Sequence, residues 1–174
     1  MPNAKKYILT GVILGSIAAV AGGLIAATNL ITESKIKQNE INKINAGIAT
    51  IFGDSAVVKS EADLDSYNYV VHYYEVANNN DEFLGYAFKS EGSNMYGKIS
   101  LIAGFDAQSH KFMSLYLVTN EQTYASTLVD KYITPLNSNE RDLEDVNCGA
   151  TYGAKLVRDL VNDANKAAED LWKK

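Results

Sequence analysis

Cysteine, proline, histidine and tryptophan are all scarce in this 174-residue chain, which has one Cys, two Pro, two His and one Trp. The lone Cys148 has no partner for an internal disulfide. With only His72 and His110 to join it, far apart in the chain, it makes no metal-ligating set, and no bound metal is expected. Each histidine reads as a strand or turn residue satisfied locally. Basic charge is also short: 16 Lys and Arg stand against 21 Asp and Glu, a formal net charge of −5. That removes the electrostatic reason to approach a nucleic-acid backbone. No acid, base or nucleophile set is legible, so no catalytic residues are expected. The length suits one domain with its own core and a small appendage.

What the chain does have begins at its N-terminus. From Tyr7 to Thr32 there is no charged residue, and Ile, Leu, Val, Ala and Gly dominate. A membrane helix needs about 20 apolar residues. Ala26-Ala27-Thr28 resembles a cleavage site, yet a signal peptide has an apolar core of only about 7–15 residues, so the run reads as an anchor. With no cysteine near its end, it is not a lipoprotein signal. Lys5 and Lys6 flank it on one side and Lys35, Lys37 and Lys43 on the other, so basic count alone does not orient it. Glu33 and Glu40 accompany the downstream lysines, whereas the N-terminal flank has no acidic residue. The reading is N-terminus cytoplasmic, C-terminal part outside.

After the run, Ile36, Ile41, Ile44, Ile48, Ile51 and Phe52 recur at helical spacing, which predicts an amphipathic helix that Gly53-Asp54-Ser55 breaks. Strand-type sequence follows at Tyr67 to Val76, Phe83 to Lys89, Lys98 to Phe105 and Lys111 to Val118, with a hairpin turn over 106–110. Thr123 to Ile133 predicts a short helix stopped by Pro135, and Asn137 to Glu144 an exposed loop. The last segment, Tyr152 to Trp172, predicts a helix with Leu156, Val157, Leu160, Val161, Ala164, Ala168 and Leu171 on its buried face. Lys155, Arg158, Asp159, Asp163 and Lys166 are expected on the rest of its surface. The layout is α+β: one transmembrane helix within residues 1–32, then one domain, 33–174, of antiparallel sheet and flanking helices.

Asp145-Val146-Asn147-Cys148-Gly149-Ala150-Thr151 leads into that last helix. A helix start offers unpaired amides and a favourable dipole to an anion, Gly149 permits close approach of the backbone, and Thr151 brings a hydroxyl. On these grounds alone the signal is weak, and a threonine after Gly-Ala reads first as an ordinary capping residue.

The same residues resemble the Asp-x-x-(Ser/Thr)-Gly-Ala-Thr flavinylation motif of the FMN-binding domain family. That family includes RnfG of the Rnf electron-transport complex and NqrC of the sodium-pumping NADH:quinone reductase. The resemblance implies that a flavin transferase outside the membrane joins FMN through its phosphate to Thr151, with Asp145, Cys148, Gly149 and Ala150 completing the motif. It extends to Thr28-Asn29 and Thr32 after the span, to Leu84-Gly85-Tyr86 and to Tyr96-Gly97-Lys98-Ile99. It also reaches Asn120-Glu121-Gln122-Thr123, where relatives begin a Glu-Thr-Pro-Gly loop. The modest length is closer to that of RnfG than to that of NqrC.

The chain departs from the family in three places. Cys148 stands for Ser or Thr, Gly153 and Ala154 for a Thr-Ser pair, and the loop at Glu121 lacks its proline and glycine. Glu121, Thr123, Tyr124 and Tyr152 are expected near the flavin, while Lys155 and Arg158 read as surface charges. The implied protein is a covalent flavoprotein carrying electrons at the outer membrane face, among integral-membrane redox subunits of an Rnf-type ion-translocating complex. Two alternatives stand beside it: an anchored flavoprotein that relays electrons to an extracellular acceptor by itself, and an anchored interaction domain without FMN.

Overall fold

Fifty residues of unbroken helix, α1 (Asn3–Phe52), open the computed structural model, which describes residues 3–173. Five strands follow: β1 (Val57–Asp63), β2 (Val70–Ala77), β3 (Phe83–Asn94), β4 (Gly97–Asp106) and β5 (Phe112–Asn120). Then come α2 (Ala125–Leu128), a π turn (Val129–Ile133), α3 (Thr134–Asn137) and α4 (Thr151–Trp172). The chain divides into two compact units, Met1–Asn42 and Lys43–Lys174.

In the first unit, Tyr7–Asn29 is a 23-residue stretch of mean hydropathy 2.2 with none of it buried. It is long and apolar enough to cross a membrane. Two of its hydroxyls are satisfied within the helix: Ser16 Oγ donates to Val12 O at 2.9 Å and Thr28 Oγ1 to Leu24 O at 2.8 Å. Back-bonding of this kind lets a hydroxyl sit on a helix away from water. The side chains of Lys5 and Lys6, on which the orientation reading draws, lie outside the described residues.

In the second unit the strands form an antiparallel meander in sequence order, β1-β2-β3-β4-β5. β4 is buried on both faces from Ile99 to Phe105, hence its nearly continuous apolar run. One face of the sheet presents Val70, Phe88, Leu101, Ala103, Phe105 and Leu115 to α4, whose Leu156, Val157, Leu160, Val161, Ala164 and Ala168 are all buried there as their spacing predicts. Each such Leu or Val contributes roughly 1.5–3 kcal/mol when fully buried. The opposite face presents Tyr74, Val76, Ala87, Ile102 and Val118 to Ile48 and Ile51 in the last turns of α1. The helix ends where expected, at Gly53, whose φ of 96° no β-substituted residue adopts readily.

The structure departs from the sequence reading in several places. β1 carried no recognisable strand signal, because Val57-Val58-Lys59-Ser60-Glu61-Ala62-Asp63 is an edge strand with only Val58 half-buried, and edges are kept polar. β2 starts at Val70 rather than Tyr67. On the helical face of α1, Ile36 and Ile41 are exposed, and packing starts at Ile44.

Pro135 does not end the helix after β5. The backbone widens first, Thr134 N bonding five residues back to Val129 O, and Pro135 then sits in the first turn of α3. Widening relieves the clash of the ring with the carbonyl four residues earlier, and no amide is needed from a proline at that position. The expected loop at Asn137 is likewise engaged. Leu115 N donates to Asn137 Oδ1 at 2.9 Å and Asn137 Nδ2 donates to Leu115 O at 2.8 Å, so its side chain completes the free edge of β5.

Asp163, expected on the solvated side of the last helix, is buried. Its Oδ2 accepts from Tyr69 N at 2.7 Å and from Val70 N at 3.4 Å, which satisfies the backbone where the chain enters β2. His72 Nδ1 pairs with Asp63 on the adjacent strand, whereas His110 finds its partner far along the chain, stacking on Trp172 at the end of α4 at 4.3 Å.

Candidate functional site

α4 begins at Thr151, and the residue before it, Ala150, has no side chain that can cap. The amides of the first turn are therefore left without a capping group, and the first turn contains no acidic residue. Uncapped amides with the positive end of the helix dipole behind them are a place for an anion. The chain reaches this start through Gly149, at φ +84°, in the left-handed region that glycine enters at little cost. Cys148 is buried in the main core instead of facing the loop. Ahead of it, the Tyr132 hydroxyl donates to Leu143 O. Burial pushes that phenol well up, with the negative charge of Glu144 adding to the effect, so it stays a neutral donor and holds the approach to the motif in place.

A cleft of about 190 Å³ opens beside this helix start. Gly149, Ala150, Thr151, Tyr152 and Gly153 form one wall, and Tyr96, Gln122, Tyr124 and Leu128 form the other. No charged side chain among the described residues lines it, so nothing acidic opposes a phosphate there. Tyr96 and Tyr152 are tilted neighbours with ring centroids 5.3 Å apart, while Tyr124 and Tyr152 are both more than half exposed and offer open aromatic faces at the mouth. The Lys155 ammonium lies 5.8 Å from the Tyr152 ring.

The second wall is set by Gly97 and a chain of hydrogen bonds through side-chain amides. A Cβ at Gly97 would collide with Glu121 O, so only glycine lets the β3–β4 hairpin lie against the segment after β5. Gln122 is buried there, and its Nε2 donates to Asn94 Oδ1 at 3.1 Å and to Gly97 O at 2.5 Å. Asn94 is fixed in turn, accepting from Tyr96 N at 2.8 Å and donating to Tyr152 O at 3.1 Å. The other end of the Gln122 amide, Oε1, is buried with no hydrogen-bond partner.

These features suit a phosphate-linked aromatic ligand: uncapped amides for the phosphate, a hydroxyl on the first helical residue, tyrosine faces and one free acceptor. Residues 1–50 match the family model described as the RnfG N-terminal region. That stretch, 50 of the chain's 174 residues, is similar to the N-terminal region of RnfG proteins. No curated protein matches the chain. The match takes in the apolar span and most of α1.

Of the residues singled out by sequence, the fold gathers Gly149, Ala150, Thr151, Tyr152 and Tyr124 around the cleft. Asp145 turns away from it: its Oδ2 accepts from Arg141 Nη1 at 2.9 Å and its backbone oxygen from the same nitrogen at 2.7 Å. Thr123 is tied to Tyr96 O, and Glu121 is exposed; neither lines the cleft, nor does Cys148. Arg158 is engaged by Asp159 at 2.8 Å and Glu144 at 3.7 Å. The residues that sequence reasoning passed over are Tyr96, Gln122, Leu128 and Gly153 as parts of one wall or the other. Tyr96 and Gln122 lie inside segments that resemble the family, but nothing in one sequence shows that a hairpin tip 28 positions away supplies the partner of Gln122.

Proposed function

We propose that the domain, residues 33–174, carries FMN as a phosphoester of Thr151 and relays electrons at the outer face of the membrane, held there by the helix within residues 1–32. The observation that carries this reading is the position of Thr151: the first residue of an uncapped 22-residue helix, on the wall of an uncharged, tyrosine-lined cleft. Attachment forms a bond from Thr151 Oγ to phosphorus, releases the hydroxyl proton and breaks the pyrophosphate bond of a flavin dinucleotide donor, with the nucleoside monophosphate leaving. A flavin transferase of the same compartment performs it. Gly149 lets the donor approach the backbone, and the first-turn amides stabilise the charge that remains on the phosphate.

Bound FMN supplies the one- and two-electron chemistry, and the chain supplies position and environment. The tether retains a cofactor that faces an unlimited outside volume, and the membrane helix keeps it near integral-membrane partner subunits of the complex. Tyr124 and Tyr152 cover aromatic ring surface at the mouth of the cleft.

The test is denaturing gel electrophoresis under ultraviolet light after coexpression with an active flavin transferase. The wild-type chain is expected to fluoresce and Thr151→Ala to be dark, with the FMN mass on the tryptic peptide from Asp142 to Lys155. Thr151 is only half-buried and its hydroxyl caps no helix, so the alanine variant should fold normally. A dark wild-type band beside a fluorescent control substrate rejects the reading and leaves an anchored domain without flavin.

A further inference from the structure

We infer that Gln122 is a specificity residue for the sugar-alcohol chain of the ligand, its Oε1 accepting a hydrogen bond from a ribityl hydroxyl of the flavin on Thr151. The inference rests on the phosphoester reading above. Gln122 is 6 % exposed and Oε1 is left without a partner. A buried acceptor with no donor is costly, and such groups are uncommon in folded proteins unless something fills the need.

The amide cannot escape the deficit by flipping. Nε2 faces two acceptors, Asn94 Oδ1 and Gly97 O. Asn94 is itself locked by Tyr96 N on its oxygen and Tyr152 O on its nitrogen, and Gly97 O is a carbonyl. Turning Gln122 over would set oxygen against both, so the unpartnered end of this side chain is fixed as an acceptor. The ligand group opposite it must therefore be a donor.

Position selects which donor. Oε1 lies 3.3 Å from where a Cβ of Gly153 would stand, beside the first turn of α4 and two residues past the attachment point. The part of a Thr151-linked FMN nearest its phosphate is the ribityl chain, whose hydroxyls are donors. Glycine at 153 keeps the path open, since any side chain there would also stand 3.0 Å from Leu128 Cδ2. A site that depends on a ligand hydroxyl discriminates strongly against an analogue lacking it.

The experiment deletes the hydroxyl from the ligand, which leaves the protein's fold untouched. Full-length Thr151→Ala chain in detergent, unable to form the ester, is titrated with FMN and with FMN analogues lacking the 2′, 3′ or 4′ hydroxyl, and binding is followed by flavin fluorescence anisotropy. One analogue is expected to bind about tenfold more weakly than FMN. That difference should vanish when Gln122→Met is added to the same chain, with near-ultraviolet circular dichroism confirming its fold. Four ligands that bind within twofold of one another overturn the inference. So does a folded chain that ignores free FMN while the wild type accepts covalent FMN. A wild-type chain that stays dark with an active transferase counts against the phosphoester reading, which separates the two failures.

Discussion

At the residue scale the least foreseeable side chain is Asp163. Helical periodicity assigns it to the surface, because a carboxylate among Asn162 and Lys166 looks like solvated charge. Instead it is buried and holds the amides of Tyr69 and Val70. Asp163→Ala removes the acceptor from both and should cost about 3 kcal/mol. Asp163→Asn keeps an oxygen in the same place and should cost about 1 kcal/mol. Urea unfolding of the detergent-solubilised chain, followed by the fluorescence of Trp172, measures both; equal losses would show that charge, and not the acceptor, matters. Thr151 is the opposite case. Its place at the helix start was legible from the apolar spacing that follows it, and the structure moves the boundary by a single residue, from Tyr152 to Thr151.

At the element scale the segment between β5 and α4 departs most from its sequence pattern. Thr123 to Ile133 reads as one helix ended by proline. The backbone passes instead through a π turn and continues to Asn137. The extension serves β5, whose outer edge has no sixth strand among the described residues: Asn137 bonds both backbone groups of Leu115 in the manner of a neighbouring strand. Asn137→Ala should therefore lower stability by about 2 kcal/mol. Amide exchange at Leu115 should quicken, and the amides of β3 should not. An unchanged Leu115 amide would mean that the side chain does not support the edge. β1 stayed hidden for a related reason, since an edge strand is polar by need and its pairing with β2 is specified by the partner.

At the scale of the whole molecule, the apolar stretch Tyr7–Asn29 has no burial within the chain, and the RnfG-type match covers it. An outward-facing domain follows from the proposal that flavin is attached outside. Ser138 is exposed, and the only native cysteine, Cys148, is 5 % exposed, so Ser138→Cys introduces one reachable thiol on a quiet background. An impermeant maleimide should label that variant in intact cells. Labelling only after lysis would place the domain inside and remove it from the transferase.

The apolar span, the α+β class, four of the five strands and the terminal helix were determined by the sequence itself, because apolar length and apolar period are local properties of the chain. So was the motif leading to Thr151, where a glycine, a small residue and a hydroxyl stand at a helix start. Only the tertiary structure decided which side chains share the cleft. The hairpin of Tyr96 and Gly97, the Gln122 segment and the start of α4 meet because a meander sheet brings positions far apart in sequence to one end of its strands. Their hydrogen bonds then leave Gln122 Oε1 an unpartnered acceptor beside the helix that Thr151 begins. Such a bond needs a donor, an acceptor and a fixed geometry at once, and a linear pattern records only the residue types.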